Sequence, residues 1–561
     1  MHPLLSAKEG ERRLLLGNEA IVRGALEAGV RVGAAYPGTP SSEIGNHLFT
    51  LSRELPGLYF EFSINEKVAM EVAAAAAAAG LRSLTCMKHV GLNVAADPFL
   101  TLAYVGVKAG MVVVTADDPS CHSSQNEQDN RYYARLSGVP MLEPATPEEA
   151  RAMTLYAFEL SERLELPVLL RTTTRVSHAR SVVTCGKLAD YFRSEKGRFE
   201  KDPGRWIPVP AVARKRHRVL LERMREAEEL ANRSPWNRME KRGPVGIAAS
   251  GVSVNYVLDA VRELGLSDRV SLLLLGFTHP FPRRLAAEFL SGVERCLVVE
   301  ELEPYLEEAL KVVAAEEGLS TRILGKAEGY LPRYHEFHPG LVKEALARAA
   351  EIEYSPPETP DTSWIPELPP RPPTLCPGCP HRETYRVVKE VLRELGEEEN
   401  TVYPTDIGCY TLGLLPPLKM ADYLLCMGSS AGSACGFSVA TDQRIVAFIG
   451  DSTFFHAGIP PLINALYQGH RFTLVVLDND TTAMTGHQPV PSQELRPEPL
   501  KEKPVISIAK FCEGLGIPTV EINPYKKKEA AEAIRPLLSS GKLGVIVSKA
   551  PCVLYRAKFK G

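Results

Sequence analysis

Residues 444–486 read RIVAFIGDSTFFHAGIPPLINALYQGHRFTLVVLDNDTTAMTG. Two apolar runs, RIVAFIG and RFTLVVL, flank the helical pattern PPLINALYQG, an order that predicts two parallel strands joined by a helix. Asp451 then closes the first strand and Asn479 the second. In a parallel sheet, those ends open onto the crevice where ligands bind. One carboxylate, one amide oxygen and a nearby backbone carbonyl suit Mg²⁺, whose octahedral oxygen shell is completed by phosphate and water. The segment Ser452–Gly458 would present backbone N–H groups to the same phosphates at a helix start. Strand-end Asp and Asn residues also make ordinary turns. The 26 residues between Ser452 and Asn479, with strands on both sides, favour a diphosphate–Mg²⁺ site.

Upstream, MGSSAGSACG (Met427–Gly436) is a glycine-rich turn opening a helix, with Gly428 and its neighbours suited either to close approach of a cofactor or to tight helix packing. The same alternation of short apolar runs and helical patterns occupies residues 12–185, including GMVVVTADDPS and the Ala-rich KVAMEVAAAAAAAG, and resumes over 244–350. The class is therefore α/β with several parallel sheets. The expected organisation is a first unit over 1–185, a charged, solvated helical connector over 186–243, and a smaller α/β unit over 244–350. A Pro-rich extended linker over 351–373 and a third unit over 374–561 complete it.

At 561 residues the chain is long enough for several domains. Lys+Arg 65 against Asp+Glu 68 leaves a net charge of -3, no electrostatic case for nucleic acid or an anionic membrane. The N-terminal MHPLLSAKEGERRLLLG lacks the apolar core of a secretion signal, and no apolar run is long enough to span a bilayer, so the expectation is a cytoplasmic protein. An odd count of 11 cysteines argues against a disulfide framework. Cys86, Cys121, Cys185, Cys296, Cys426, Cys435 and Cys512 read as small buried residues. Cys376 and Cys379, in LCPGCPHRETY, form the one close pair.

In LYFEFSINEKVAMEVAAAAAAAG a strand ends and a long helix begins. Glu66 falls in the first turn, where the helix dipole favours a carboxylate and where it could equally be an ordinary cap. Glu71, a turn later, could face solvent. His89, His122, His456 and His487 lie in or near the informative segments, and a single histidine is commonly a hydrogen-bonded structural residue. His456, after the diphosphate loop, and His89, in MKHVGLN, are the candidates for direct contact with cofactor and substrate.

Together YPGTPSSE, NEKVAMEVAAAAAAAG, MKHVGLNVAADP, LCPGCPHR, GDSTFFHAGIPPLINA and DNDTTAMTGHQP resemble the large (alpha) subunits of indolepyruvate ferredoxin oxidoreductases. These are members of the thiamine-diphosphate 2-oxoacid:ferredoxin oxidoreductases. The resemblance runs from about residue 12 to 555 with the motifs in family order. The spacing Gly450-Asp451-Ser452 to Asn479 resembles the thiamine-diphosphate fingerprint, which implies Asp451, Asn479 and the Thr481 carbonyl as Mg²⁺ ligands. The resemblance also implies a pyrimidine-binding domain, a transketolase-C-terminal-like domain and a pyrophosphate-binding domain, with Glu66 as the catalytic carboxylate facing the aminopyrimidine ring.

Further family implications follow. Thr39 of YPGTPSSE would meet the substrate carboxylate, although Thr39 could also be an N-cap with Pro40 at the first helical position. Gly38 suggests a roomy aryl pocket. Cys376, Cys379, Cys409 and Cys552 would hold a [4Fe–4S] cluster, for which Cys₄ zinc and a C-x-x-C dithiol are alternatives. The expected reaction is oxidative decarboxylation of indolepyruvate or a related arylpyruvate to the aryl-acetyl-CoA with reduction of ferredoxin. A non-oxidative thiamine-dependent decarboxylase or carboligase is the alternative, and a non-catalytic electron-transfer or structural subunit a more distant one. A smaller beta subunit, an assembly of two copies of each, and CoA as acyl acceptor are implied. Many relatives end in a cysteine-rich ferredoxin-like tail that is not seen before Gly561, so electrons are expected to leave by another protein.

Overall fold

The apolar runs become central strands because both their faces are covered. Met111–Asp117 and Val168–Thr173 are buried at every position, and each large aliphatic side chain so enclosed contributes about 1.5–3 kcal/mol. The computed structural model describes residues 2–191, 196–358, 360–369, 371–497 and 500–559. These fall into two compact units, residues 1–360 and 361–561.

In the first unit a seven-stranded sheet runs in the order Phe277–His279, Met141–Leu142, Val168–Thr173, Met111–Asp117, Ser83–Lys88, Val32–Ala35, Tyr59–Phe62. All its pairings are parallel except that of the edge strand Phe277–His279. A second sheet orders Arg322–Leu324, Arg295–Val299, Val245–Ser250, Val270–Leu275 and an antiparallel edge strand Asn237–Glu240. Strands Arg12–Leu16 and Arg180–Thr184 pair separately and antiparallel.

The organisation differs from the sequence expectation at two places. The stretch 186–243 is not merely a solvated connector. Its helix Pro210–Asn232 buries Leu220, Ala227 and Ala231, and Arg216 and Arg223 donate to the carbonyls of Tyr104 and Glu165. Asn237–Glu240 already belongs to the second sheet, and Phe277–His279 crosses to the first. Charge runs conceal such packing because long cationic side chains reach backbone carbonyls along apolar stems. The boundary between the units falls inside the Pro-rich stretch 351–373, where Trp364 is exposed. Residues 192–195 of the connector and residues 359 and 370 of the linker lie outside the described residues.

Buried charge joins the two sheets of the first unit. Arg131 bonds Asp129 (2.6 Å), Glu300 (2.6 Å) and the carbonyls of Glu301 and Glu303. Arg171 bonds Asp117 (2.9 Å) and Glu143 (2.8 Å). Glu301 accepts the Phe337 N–H (2.8 Å), and burial pushes its carboxyl up to about 7. The second unit is one all-parallel sheet in the order Thr401–Val402, Arg444–Gly450, Thr473–Asp478, Gly544–Lys549, Thr519–Ile522, with an apolar core on each face.

A carboxyl group with a raised folded pKa binds a proton that the unfolded chain has released, so its burial costs stability as pH rises from near 4.5 to about 7. Glu301→Gln keeps an acceptor for Phe337 without the charge. It is expected to gain up to about 3 kcal/mol over wild type at pH 8 and nothing at pH 4.5, measured by urea unfolding at both pH values.

Candidate thiamine diphosphate and cysteine sites

In the second unit the strand register pairs Gly450 with Leu477 and therefore sets Asp451 beside Asp478. Asp451 Oδ1 accepts the Ser452 N–H (2.7 Å) and Oδ2 the Asn479 N–H (3.2 Å). Asp451, Asp478 and Asp480 are all buried, and burial raises Asp478 to about 6 against the pull of the Lys549 ammonium. Burial, then the neighbouring Asp478 carboxylate, pushes Asp451 far above the ordinary carboxylate range. Asp451 and Asp478 are two buried carboxylates side by side, whose repulsion a divalent cation would relieve, and oxygen donors of this kind suit Mg²⁺.

Around this point the predicted phosphate-contacting residues converge. Asp451–Thr453 begins a helical turn that continues through a wider turn, Phe454–Gly458, into the helix Ile459–Gln468, with His456 buried in the wide turn. Ser452 accepts from the Thr482 hydroxyl (3.0 Å), and the Thr481 N–H lies 3.3 Å from Asn479 Oδ1. Gly428 has φ +89° at the start of Ser429–Ala440, and a Cβ there would collide with Ala457 of the wide turn. A Cβ on Gly450 would come within 2.5 Å of the Tyr410 ring.

Asp406, which the sequence reading missed, is fully buried and gathers these loops. It accepts the N–H groups of Gly428 (2.6 Å), Ser430 (2.9 Å) and Ile407 (3.0 Å), and burial raises it to about 6.

The four named cysteines come from three segments of this unit and lie near one another. Cys376 and Cys379 bracket a turn in which Gly378 takes φ +69°, and Cys379 caps the helix Pro380–Glu394. Burial, reinforced by Cys379, Cys552 and Cys376 in turn, pushes the Cys409 thiol up to about 12. Burial also raises Cys379, while the N–H groups of Arg382 and His381 draw it back. Among the described residues no three His, Cys, Asp or Glu side chains form a ready-made metal site. Of the cysteines read as buried, Cys426 is exposed and Cys121 half-buried.

Each cysteine segment is fastened to the Asp451–Asn479 region by a residue at or beside the cysteine. His381, two residues after Cys379, bonds Asn479 Nδ2 (3.1 Å), and its burial lowers it to about 4, so its ring is neutral. Tyr410, after Cys409, bonds the Thr453 hydroxyl (3.0 Å). The Cys552 N–H bonds the Asn479 carbonyl (2.9 Å). His381 had a signal in the C-x-x-C-P-H string, but only the fold places it beside Asn479.

In the first unit Glu66 is not the helix cap. Asn65 is, its Oδ1 accepting the Val68 N–H (2.9 Å), and Glu66 stands at the first helical position, 5% exposed. A Cβ on Gly91 would lie 2.7 Å from Glu66 Oε1, so the glycine admits the carboxylate. Glu71 is half-exposed and pairs with Lys67.

Thr39 is not an N-cap either, because the helix Ser42–Leu51 is entered at Ser41. The Thr39 carbonyl accepts the Ser123 hydroxyl (3.2 Å), and the Ser123 carbonyl accepts Lys88 Nζ (2.9 Å). Lys88 went unremarked in the sequence, and its stem lies 3.0 Å from the Cβ that Gly38 lacks. Thus the room beside Gly38 is filled by a lysine. Burial lowers Lys88 while Asp118 and Glu66 oppose it. Asp118, despite its burial, is held low by Ser124, Ser123 and Thr174. His89 is fully buried, one ring nitrogen on Asn126 (3.1 Å) and Nδ1 without a partner among the described residues. His122 is exposed and pairs with Glu336 (3.2 Å).

Residues 406–548 match the family model of the thiamine pyrophosphate enzyme, C-terminal TPP binding domain. Residues 23–234 match that of the pyruvate flavodoxin/ferredoxin oxidoreductase, thiamine diP-bdg. The chain thus carries the two domains of a thiamine-diphosphate-dependent 2-oxoacid:ferredoxin oxidoreductase. It is 53% identical to the indolepyruvate oxidoreductase subunit IorA of Methanothermobacter marburgensis over 100% of this chain and 90% of that one. Against the IorA subunit of Thermococcus kodakarensis it is 45% identical over 98% and 87%. The 2-oxoglutarate:ferredoxin oxidoreductase from Magnetococcus marinus aligns with 60% of this chain and 65% of its own at 16% identity and a TM-score of 0.48. The chain belongs to the family of IorA subunits of indolepyruvate oxidoreductase. Among the described residues no helix is long and apolar enough to cross a membrane.

Gly428→Ala is expected to destabilise the chain by about 2 kcal/mol, from the strained φ and the collision with Ala457. It should also weaken thiamine diphosphate binding by at least about tenfold, read by thermal melting and by calorimetric titration of the cofactor.

Proposed function

We propose that this chain is the catalytic large subunit of an enzyme that oxidatively decarboxylates indolepyruvate or a related arylpyruvate to the aryl-acetyl-CoA and reduces ferredoxin. The observation that carries this reading is the fastening of all three cysteine segments to the Asp451–Asn479 region. A decarboxylase or carboligase needs the carboxylates but has no use for four thiols beside them.

When bound, thiamine diphosphate supplies the electron sink that lets a 2-oxoacid lose CO₂, and an iron–sulfur cluster takes up single electrons. Asp451, Asn479 and the Thr481 carbonyl would hold Mg²⁺, with the N–H groups from Ser452 onward and Gly428, Gly450 and His456 around the diphosphate. Glu66, pressed under Gly91, holds the proton at the aminopyrimidine. Thr39 binds the substrate carboxylate, and Lys88 beside it adds positive charge where that carboxylate arrives. Fully buried His89 fits a positioning role better than direct substrate contact. Cys376, Cys379, Cys409 and Cys552 are the ligands for a [4Fe–4S] cluster. The resident compartment is the cytoplasm, with the smaller beta subunit as partner, two copies of each, and ferredoxin as acceptor.

Protein purified anaerobically with the smaller subunit is expected to hold about four iron per chain. Its dithionite-reduced EPR signal should vanish in Cys376→Ala. Zinc, or no metal, would overturn the cluster assignment.

Glu66→Gln should lower indolepyruvate-dependent ferredoxin reduction by about 10²–10⁴-fold with iron content unchanged. Gly91→Ala, which pushes the same carboxylate aside, should cost about 10²-fold. Turnover unchanged in both would remove Glu66 from the mechanism.

A further inference from the structure

His487 takes φ +67°, a left-handed conformation unfavourable for a side chain of its size. The loop holds it there through its N–H to the Thr482 carbonyl (3.0 Å). Its ring stacks on Tyr555, with centroids 5.5 Å apart and planes 20° apart, and the Tyr555 hydroxyl is fixed by Gln493 (2.8 Å). One ring nitrogen, Nε2, lies 3.8 Å from Cys552 Sγ. The other, Nδ1, lies 3.4 Å from Lys558 Nζ.

The lysine decides the direction of these contacts. An ammonium group only donates, so Nδ1 must accept, and the single proton of a neutral imidazole is left on Nε2. That N–H points at the Cys552 sulfur. A backbone held at positive φ in a site that over-determines it commonly marks a functional constraint, and here the constraint aims one donor at one thiol.

We propose that His487 donates its Nε2–H to the Cys552 sulfur and so raises the reduction potential of an iron–sulfur cluster bound there, with Lys558 fixing the tautomer. This rests on the cluster reading above. Reduction adds negative charge to the sulfurs, and a hydrogen bond to one of them favours the reduced state. His487 acts through Cys552 and is a positioning residue.

The test is an EPR-monitored redox titration, at one pH, of the complex assembled with the smaller subunit. His487→Phe keeps a flat ring over Tyr555 but has no donor, and is expected to disfavour the one-electron reduction about tenfold, a fall of about 59 mV. His487→Gln returns a donor and should recover at least half of the fall. Lys558→Met, at an exposed position, frees the tautomer and should give a smaller fall, which carries the test even where the His487 variants do not accumulate. Iron content should match wild type throughout. Full iron with an unmoved potential in His487→Phe or Lys558→Met overturns the inference alone. Wild-type protein without iron overturns the cluster reading, and the inference with it.

Discussion

Asn479 is held from three directions. Its N–H meets the Asp451 carboxylate, its side-chain amide the His381 ring, and its carbonyl the Cys552 N–H. Because the neutral His381 ring accepts from Nδ2, the orientation of the amide is fixed, and with it the place of Oδ1. The strand pairing that sets Gly450 opposite Leu477 brings two carboxylates side by side where they repel. Only a sheet packed on both faces holds that arrangement, so the apolar cores of the second unit maintain the charge pattern of its site.

The first unit solves a different problem. Its carboxylate, Glu66, needs a small neighbour, and Gly91 leaves the space that any side chain would fill. The stem of Lys88, at the end of the strand Ser83–Lys88, lies against Gly38, and its ammonium rests on the Ser123 carbonyl. Together Glu66, Lys88 and Asp118 bring acidic and basic side chains to close quarters at the carboxyl ends of these strands.

Much of this was legible in the sequence, and the reason is local. Strand-helix alternation with polar residues at strand ends pointed to parallel sheets and to Asp451 and Asn479 as neighbours across a crevice. Asn65 and Ser41 as the true helix entries were less legible, because Glu66 and Thr39 are also good residues for such positions and only hydrogen-bond geometry separates them. Asp406, Lys88, Gly91 and His381 escaped notice since their roles arise from partners far away in the chain: Asp406 from Gly428, Gly91 from Glu66, His381 from Asn479. The boundary near residue 243 was misjudged for the same reason, a short edge strand having no periodicity long enough to read.

The position of the four thiols in the chain has a consequence for how the protein matures. Cys376 and Cys379 sit before the first strand of their sheet and Cys552 after Gly544–Lys549, an inner strand that pairs with Thr473–Asp478 and Thr519–Ile522. The quartet therefore exists only once the whole unit has folded. An incompletely folded chain offers a metal ion little more than a C-x-x-C pair. For the proposed cluster the sheet would act as a checkpoint, its four thiols coming together only once the asparagine and aspartate beside them are already in place.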